Sequence, residues 1–501
     1  MKIQSMTLKN IGHFKDLTIP FAPLEEGKPR VTVFIGNNGS GKTNILKSLV
    51  TALSWLPARI RTERGRGLDI PEEVIHNDEH SAAVSVNVLA HNQEFVWTLS
   101  KAREGKKNQF SSDLKAVSEW ADIYRTQLTE NQDVNLPLMV FYPVERSVLD
   151  IPLKIKAKHY FEQLDAYDNA LEMGVDFRRF FEWFRAREDI DNEERLFYEL
   201  EKQSQDIDRV LELWERFSTL LDETENLNEK WEKSGRKDIL LSKQIFEKMA
   251  KLKLAEQEMN EIMENKEDTS KLCLDVPLKS VKQAIKEFTD FENIWVQRKP
   301  KLRMMVSKNG KEFNVFQLSQ GEKSLMALVG DIAQRLAMLN PNLDNPLEGQ
   351  GVIMIDEADL HLHPQWQRQL IDRLTKTFPN CQFILSTHSP LVISDSKDIV
   401  VYSLENGEMS RLPSQYGQDA NMVLLNAMDT AIRNEKITEK INHLIDLIQD
   451  NQLSLAKEKL AELRQELPEN HLELNKAQLL LKKQEIRHEK NSEKPRTSQF
   501  D

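Results

Sequence analysis

The sequence VTVFIGNNGSGKT occupies residues 31–43 and is followed by ILKSLVTALSWL at residues 45–56. The run from Val31 to Ile35 is apolar and rich in β-branched residues, which predicts a buried central strand. The octet from Gly36 to Thr43 fits the pattern G-x-x-x-x-G-K-S/T. A strand, a glycine loop and a helix in this order predict a loop whose backbone N–H groups surround phosphate oxygens at a helix N-terminus.

The glycine loop supplies a set of candidate nucleotide-binding residues. We expect Lys42 to reach the β- and γ-phosphates and the Thr43 hydroxyl to take Mg²⁺. A chance glycine loop is the alternative, but the strand and the helix on either side favour nucleotide binding. The candidate residues are Gly36, Asn37, Asn38, Gly39, Ser40, Gly41, Lys42 and Thr43.

A second apolar run, residues 352–355, ends in two carboxylates, Asp356 and Glu357. We expect Asp356 to hold Mg²⁺ through water and Glu357 to polarise an attacking water. Neighbouring strand residues point to opposite faces, so both can face a nucleotide only if Glu357 lies beyond the end of the strand. The alternative is a solvated strand end.

The segment LSQGEK, residues 318–323, opens a predicted helix. Ser319 followed three residues later by Glu322 fits a capping box. The functional interpretation is that Ser319 and the first N–H groups of this helix grip a γ-phosphate.

Length and composition limit the class of protein. The chain has 501 residues and a net charge of −12, and its length indicates about three structural units or one large core with inserts. It has only two cysteines, which excludes a disulfide framework or a zinc ribbon. No run approaches the ~18 apolar residues of a membrane-spanning helix. Residues 1–14 contain no apolar h-region, so we expect no secretory signal. We therefore expect a cytoplasmic protein. The negative charge argues against a surface coated by nucleic acid, but not against a local basic groove.

The pattern of strands and helices predicts an α/β fold with a mostly parallel sheet, interrupted by a large helical insertion. Within the insertion we expect separate amphipathic helices, among them 177–187, 195–203 and 206–221, too short and too interrupted for a long coiled-coil arm. The predicted divisions are 1–150 and 301–430 as two lobes, 151–300 as the insertion, 431–486 as C-terminal helices for a partner or for oligomerisation, and 487–501 as a disordered tail.

The segment LSQGE, residues 318–322, is similar to the LSGGQ signature of the ABC ATPase superfamily. Asp359 to Pro364 resemble the D-loop of that family, and Ser386 to Pro390 resemble the segment that carries its switch histidine. The resemblance implies an ABC-type P-loop ATPase head in which the signature of one subunit completes the ATP site of another. It makes His388 a contact to the γ-phosphate, and it adds Ser319, Gly321 and Glu322 to the nucleotide-binding residues.

The opening segment MTLKNIGHFKDLTI, residues 6–19, resembles that of the OLD, RecF and SMC-type branch. The resemblance implies that the turn from Asn10 to Lys15 lies near the adenine, with Asn10 and Phe14 as candidate contacts. The residues after His388 lack the acidic strand pattern of the nuclease domain of OLD proteins, so we expect an ATPase without its own nuclease site.

Within this branch the chain most resembles the PtuA family, the ATPases of Septu antiphage systems and of certain retron cassettes. The resemblance implies an even-numbered homo-oligomer of head-to-head dimers and an HNH endonuclease partner similar to PtuB. Some cassettes add a reverse transcriptase and its msDNA. Two alternatives stay open: a DNA-repair ATPase like RecF or SMC that DNA stimulates, and a scaffold protein with a structural nucleotide.

The ABC family places a glutamine after a strand near residue 142, and here residues 141–147 read FYPVERS. The next glutamine, Gln163, lies in a predicted helix. This departure favours slow hydrolysis. Arg146 is either a phosphate contact or the partner of an acid.

Several further groups have two interpretations each. His361 and His363 lack a third metal ligand, which favours hydrogen bonding. The tryptophans Trp183, Trp214 and Trp231 are expected in a helix core rather than as base-stacking platforms.

The basic residues are either nucleic-acid contacts or solvated surface: Arg59, Arg61, Arg64, Arg66, Arg298, Lys299, Lys301 and Arg303. The C-terminal leucines form either a hairpin on the ATPase lobe or a docking stripe: Leu444, Leu447, Leu453, Leu460 and Leu463.

Overall fold

The chain forms two compact units, residues 1–416 and the residues from 417 onward. The computed structural model describes residues 1–22, 31–131, 133–145, 161–233, 236, 238–264, 273–397, 399–428, 434–468 and 470–492.

The first unit contains thirteen described strands and nine described α-helices. The strands are β1 (Lys2–Ile11), β2 (Phe14–Pro20), β3 (Val31–Gly36), β4 (Ser81–Ala90), β5 (Gln93–Ala102), β6 (Leu138–Tyr142), β7 (Asn293–Gln297), β8 (Arg303–Lys308), β9 (Lys311–Asn314), β10 (Gly351–Ile355), β11 (Cys381–Ser386), β12 (Val400–Glu405) and β13 (Glu408–Arg411). The helices are α1 (Lys42–Leu53), α2 (Trp55–Arg61), α3 (Lys115–Glu130), α4 (Phe177–Lys233), α5 (Ile239–Glu264), α6 (Val276–Phe288), α7 (Gln320–Leu339), α8 (Pro364–Thr377) and α9 (Pro390–Ser394).

A six-stranded sheet with the order β13-β12-β3-β11-β10-β6 forms the centre of this unit. All its neighbours pair in parallel except β13, which runs antiparallel at one edge. The carboxyl ends of β3, β10 and β11 therefore meet at one edge, where open α/β sheets bind their ligands. This architecture confirms the predicted α/β fold with a mostly parallel sheet, and β13 makes the sheet a mixed one.

The central strands are apolar because both faces of the sheet are covered. Every residue of β6, β10 and β11 is buried. The predicted strands at 31–35 and 352–355 are confirmed, and β6 is a third buried strand of the same sheet.

Two antiparallel sheets flank the centre, with the orders β2-β1-β4-β5 and β7-β8-β9. On the first, Trp97 of β5 packs against Trp120 of α3, with ring centroids 6.2 Å apart. In the second, β8 turns into β9 at Asn309 and Gly310, whose φ angles of 51° and 68° are left-handed, and the chain continues from β9 towards α7.

The expectation of short, interrupted helices in the insertion was wrong. Helix α4 runs without a break over 57 residues, about 85 Å at 1.5 Å per residue. The chain then reverses, since Lys248 of α5 pairs with Glu223 of α4, each about ten residues from the bend. Glycine and proline are absent from α4, so nothing in its backbone breaks the helix between the apolar segments.

The second unit consists of α10 (Ala420–Ala427), α11 (Glu435–Gln449), α12 (Leu453–Glu466) and α13 (Leu472–Ser492). Leu444, Leu460 and Leu463 are buried in a cluster shared by α11, α12 and α13, and Leu447 and Leu453 pack against it. These leucines therefore build the unit's own core. Helix α13 extends six residues past the predicted end at 486, and residues 493–501 of the predicted tail lie outside the described residues.

Candidate functional site

The glycine loop after β3 depends on backbone angles that favour glycine. Gly39 and Gly41 have φ angles of 81° and 100°. A Cβ atom on Gly41 would lie 2.7 Å from two ring carbons of Phe14, a side chain that is itself buried. Gly41 is therefore required both by its φ angle and by the aromatic ring beneath the loop.

Lys42 lies in the centre of this loop. Its Nζ donates hydrogen bonds to the carbonyl oxygens of Gly36 over 2.7 Å and of Asn37 over 3.0 Å. Burial lowers the pKa of Lys42, and the carboxylates of Asp356 and Glu357 oppose that shift. The ammonium group is thus held between the loop and the acidic end of β10, where a phosphate chain could bind it.

The two predicted magnesium ligands lie in direct contact. The hydroxyl of Thr43 donates to Oδ2 of Asp356 over 2.7 Å, and the hydroxyl of Ser386 donates to Oδ1. The N–H of Asp356 donates to the carbonyl of Tyr142 over 2.9 Å, which fixes the backbone below the carboxylate. A hydroxyl and a carboxylate held side by side are hard oxygen donors that fit Mg²⁺.

Glu357 lies beyond the end of β10, as its predicted role requires. The strand ends at Ile355, and Glu357 has a left-handed φ of 47°. Its N–H donates to Oγ of Ser386 over 2.8 Å. The unusual backbone angle turns the chain here, so the strand's alternation of faces no longer separates Glu357 from Asp356.

The D-loop-like segment and the segment of His388 are joined by one carboxylate. The hydroxyl of Thr387 donates to Oδ1 of Asp359 over 2.5 Å, and the backbone N–H of His388 donates to the same oxygen over 3.2 Å. The imidazole of His388 lies on an exposed residue. This role of Asp359 and Thr387 was not predicted from the sequence. The hydroxyl residue Thr387, at the end of a strand and next to His388, could have indicated it.

Ser319 forms the predicted capping box at the start of α7. Its N–H and hydroxyl donate to Oε2 of Glu322 over 2.9 Å and 2.7 Å, and Lys308 donates to Oε1 over 2.8 Å. Burial alone would raise the pKa of Glu322, but these donors outweigh it and lower the pKa. A Cβ atom on Gly321 would lie 2.6 Å from the carbonyl oxygen of His361. The segment LSQGE therefore packs against the D-loop-like segment of its own chain, and its contact to a γ-phosphate stays a prediction.

The turn between β1 and β2 lies beside the start of α1. A Cβ atom on Gly12 would lie 2.5 Å from Nδ2 of Asn44. The side chain of Asn10 is largely buried and donates to the carbonyl of Ser81 over 3.0 Å, while Phe14 packs under Gly41. Adenine contacts by Asn10 and Phe14 stay predictions.

A buried polar chain that the sequence analysis missed joins β6 to α7. The hydroxyl of Tyr142 donates to Oδ2 of Asp331 over 2.8 Å, and Nε of Arg335 donates to the same oxygen over 2.7 Å. Arg335 also donates to the carbonyl of Asp168 over 3.1 Å. Burial and then Asp331 raise the pKa of Tyr142 well above its ordinary value. Because the carbonyl of Tyr142 also accepts the N–H of Asp356, these hydrogen bonds link the candidate magnesium site to α7.

The side chains of Gln163 and His363 both form hydrogen bonds within the chain. Gln163 donates to the carbonyls of Val134 over 2.5 Å and Leu339 over 3.1 Å, and Arg146 lies outside the described residues. His363 caps α8, since its Nδ1 accepts the N–H of Gln365 over 3.3 Å. The described residues contain no group of three or more His, Cys, Asp or Glu side chains suited to a metal ion.

Three of the eight basic residues considered as nucleic-acid contacts pair with acids within the described part of the same chain. Arg61 pairs with Asp168, and Arg66 pairs with Asp69 over 2.7 Å. Arg298 pairs with Asp189 over 2.6 Å. Nucleic-acid contact through Arg59, Arg61, Arg64 and Arg66 stays a prediction.

The tryptophans of the insertion differ in burial. Trp183 is buried, as expected for a helix core, but Trp214 is 62% exposed, so its assignment to a core was wrong. Among the helices within the described ranges, none has the length and apolar character to cross a membrane.

Comparison with known proteins shows the family of this chain. The family model described as "AAA ATPase domain" matches residues 1–393. The Retron Ec83 probable ATPase of Escherichia coli is 31% identical over 458 residues, 89% of this chain and 80% of that protein. The Retron Vc95 probable ATPase of Vibrio cholerae serotype O1 biovar El Tor is 34% identical over 401 residues, 77% of this chain and 71% of that protein.

Two shorter or more distant similarities accompany these. The Septu protein PtuA of Bacillus mycoides is 39% identical over 106 residues, 20% of this chain and 14% of that protein. Among solved structures, the Smc head domain with an extended coiled coil from Pyrococcus furiosus is 16% identical. That comparison covers 82% of this chain and 96% of the other, with a TM-score of 0.39. The predicted resemblance to the ATPases of retron and Septu systems is confirmed.

Proposed function

The chain belongs to the AAA ATPase domain family and to the relatives of retron ATPases, and on that basis we propose that it is the ATP-binding regulatory subunit of an antiphage defence complex. In this proposal ATP closes two copies head to head, and the closed state controls a partner nuclease. The observation that carries the proposal is the contact between Thr43 and Asp356 beside Lys42.

Nucleotide binding rests on the glycine loop. On arrival of a triphosphate, Lys42 would exchange the carbonyl oxygens of Gly36 and Asn37 for phosphate oxygens, which gain more from its charge. Thr43 and Asp356 would hold the Mg²⁺ ion that accompanies ATP. That ion neutralises charge on the β- and γ-phosphates.

Hydrolysis rests on the end of β10 and the loop after β11. Glu357 would orient the attacking water, and His388 would contact the γ-phosphate. Positioning and charge stabilisation supply most of phosphoryl-transfer catalysis. The sequence after β6 lacks the family glutamine, which supports slow turnover and a regulatory role.

Dimerisation and the partner rest on resemblance. Ser319 is exposed at the start of α7, where a second copy could present its own nucleotide to Ser319, Gly321 and Glu322. The partner would be an HNH endonuclease similar to PtuB, in some cassettes with a reverse transcriptase and msDNA, in the cytoplasm. Nucleotide controls such a complex only if it binds one state more tightly than the other.

The decisive experiment is the mass of the complex, co-expressed with its flanking genes and measured by light scattering with and without ATP–Mg²⁺. We expect an even number of copies, and we expect Glu357→Gln to increase the closed, nucleotide-bound form while turnover falls at least tenfold. Lys42→Ala should weaken ATP binding at least tenfold. Glu458→Gln, an exposed glutamate on α12, is the matched control.

The proposal fails if Glu357→Gln leaves turnover unchanged, or if no nuclease co-elutes. An ATPase that elutes alone and is stimulated by DNA would favour the DNA-repair alternative. A protein that Lys42→Ala unfolds, with no turnover to lose, would favour a scaffold with a structural nucleotide.

A further inference from the structure

Helix α4 carries two apolar stripes, and α5 covers one of them. The covered stripe contains Leu213 and Thr224, which are buried, and α5 contributes the buried residues Ile245 and Ala255. This pairing accounts for the antiparallel helical hairpin.

The second stripe lies on another face of α4 and is bare. Its six large side chains are between 42% and 70% exposed. They follow steps of three and four residues, with Ser204 and Ser218 filling the two remaining positions, which is the heptad spacing of a coiled-coil seam. We call this stripe the outer seam, and its apolar members are Phe197, Leu200, Ile207, Leu211, Trp214 and Leu221.

The outer seam is long enough for a partner helix. From Phe197 to Leu221 it spans about 36 Å at 1.5 Å per residue. Burying such side chains against a partner removes their apolar surface from water, which favours binding. Three heptads of exposed Leu, Ile, Phe and Trp on a surface helix therefore mark an interaction site rather than ordinary scattered surface residues.

A row of carboxylates borders the outer seam on one side. Each acid directly follows a seam residue, and the four are exposed and spaced seven residues apart: Glu201, Asp208, Glu215 and Asp222. Within the described part of the chain, no ion pair involves any of these four carboxylates. The other side of the seam approaches α5 and contributes Val210, Phe217 and Thr224, which are uncharged.

This charge pattern selects the occupant. Charges beside a coiled-coil seam set partner choice. A second copy docked antiparallel through the same seam would bring two acidic rows together, and a parallel second copy would meet the side that α5 already occupies. Nucleic acid is disfavoured because its phosphates carry the same sign as the carboxylates. We propose that the outer seam of α4 docks a basic amphipathic helix of a partner protein, with lysine or arginine opposite the acidic row.

The proposal makes a prediction that two designed peptides test on the full-length chain. The first is a 28-residue helix with Leu and Ile at the seam positions and Lys at the flanking positions, and the second has Glu in place of Lys. By fluorescence anisotropy we expect the Lys peptide to bind at least tenfold more tightly than the Glu peptide. Ile207→Ser with Trp214→Ser should weaken that binding at least tenfold while leaving the acids in place.

Charge reversal separates the seam from general attraction to an acidic protein. The seam variant replaces Glu201, Asp208, Glu215 and Asp222 with Lys and should reverse the preference between the two peptides. The control variant makes the same change at four exposed glutamates of the second unit, Glu435, Glu439, Glu458 and Glu462, and should keep the preference. Circular dichroism checks that each variant retains its helices.

Three outcomes overturn the proposal. The first is equal binding of both peptides or binding of neither, and the second is an equal effect of the two charge-reversed variants. The third is an oligomer whose mass falls when the seam is substituted, without any peptide binding, because the occupant would then be a second copy. These readouts use no nucleotide, so they stand apart from the test of ATPase function.

Discussion

The hydroxyl of Thr43 donates a 2.7 Å hydrogen bond to Oδ2 of Asp356, although the two residues are 313 positions apart in the chain. Thr43 belongs to the first turn of α1, and Asp356 follows the end of β10. The fold thus holds the two proposed ligand oxygens side by side before any ion arrives, which would lower the cost of ordering them on binding.

Loss of the Thr43 hydroxyl should weaken magnesium-dependent nucleotide binding. We expect Thr43→Ala to reduce ATP affinity at least tenfold in the presence of Mg²⁺ and much less in EDTA, as measured by calorimetry. Thr43→Ser keeps the hydroxyl and should stay close to the parent. Thr51→Ala is the control on the same helix, since that hydroxyl donates only to the carbonyl of Lys47. Equal losses with and without Mg²⁺ would contradict the ligand role.

The buried polar chain of Tyr142, Asp331 and Arg335 should contribute more to the free energy of unfolding than an ordinary buried hydrogen bond. Tyr142→Phe removes a bond to the carboxylate of Asp331 and should cost about 1.5–3 kcal/mol in urea unfolding. Arg335→Met leaves that carboxylate without its cation and should cost about 3–5 kcal/mol.

Tyr167→Phe is the matched control for Tyr142→Phe, because the buried Tyr167 hydroxyl donates over 2.7 Å to the neutral carbonyl of Pro137. We expect about 1 kcal/mol there. If Tyr142→Phe costs no more than Tyr167→Phe, the charge of Asp331 contributes nothing extra.

Removing the Asp359 carboxylate should affect turnover more than affinity. Asp359→Ala frees Thr387 and the N–H of His388, so the histidine segment loses its anchor. We expect kcat for ATP hydrolysis to fall about tenfold with KM within twofold. The control is Asp395→Ala, which removes a surface ion pair with Arg368. A fall in affinity as large as the fall in kcat would place Asp359 in binding instead.

A methyl group at Gly41 should be harmful for two separable reasons. Gly41→Ala meets a φ of 100° and the ring of Phe14 at 2.7 Å, whereas Gly105→Ala meets only a φ of 72° with no atom within 4 Å. A left-handed angle costs about 1–2 kcal/mol, and urea unfolding should show an additional loss at Gly41. Adding Phe14→Leu should recover part of that additional loss. Equal costs at the two glycines would exclude the clash.

Stability should depend on pH through Glu322. Its folded-state pKa lies below the ordinary value of 4.5, so the carboxylate stabilises the fold above about pH 4.5, and this contribution is lost as pH falls through the folded pKa. Glu322→Gln should therefore cost about 1 kcal/mol at pH 7 and less at pH 4 in urea unfolding. A constant difference across this range would contradict the assignment.

Sequence analysis predicted the elements whose signals are local. The strands at 31–35 and 352–355 are short apolar runs, and the loop between β3 and α1 is a contiguous octet. The capping box of Ser319 and Glu322 also lies within four residues. Each of these depends on neighbours in the sequence, so composition and spacing suffice to find it.

The continuity of α4 could not be predicted in the same way. The apolar residues of α4 lie in two stripes, one packed on α5 and the other exposed. Because both stripes contribute to the pattern along the sequence, the helix looks like several separate segments. The exposure of Trp214 follows from the same cause, since burial depends on which face α5 covers.

The order of strand, loop and helix, the glycine octet and the acidic end of β10 can all be predicted from the sequence, because each depends on residues that adjoin one another. The contacts of Thr43 with Asp356, of Asp359 with Thr387 and of Tyr142 with Asp331 are known only from the folded chain. Those contacts join residues distant in the chain. They arise because parallel pairing places the carboxyl ends of β3, β10 and β11 at one edge of the sheet.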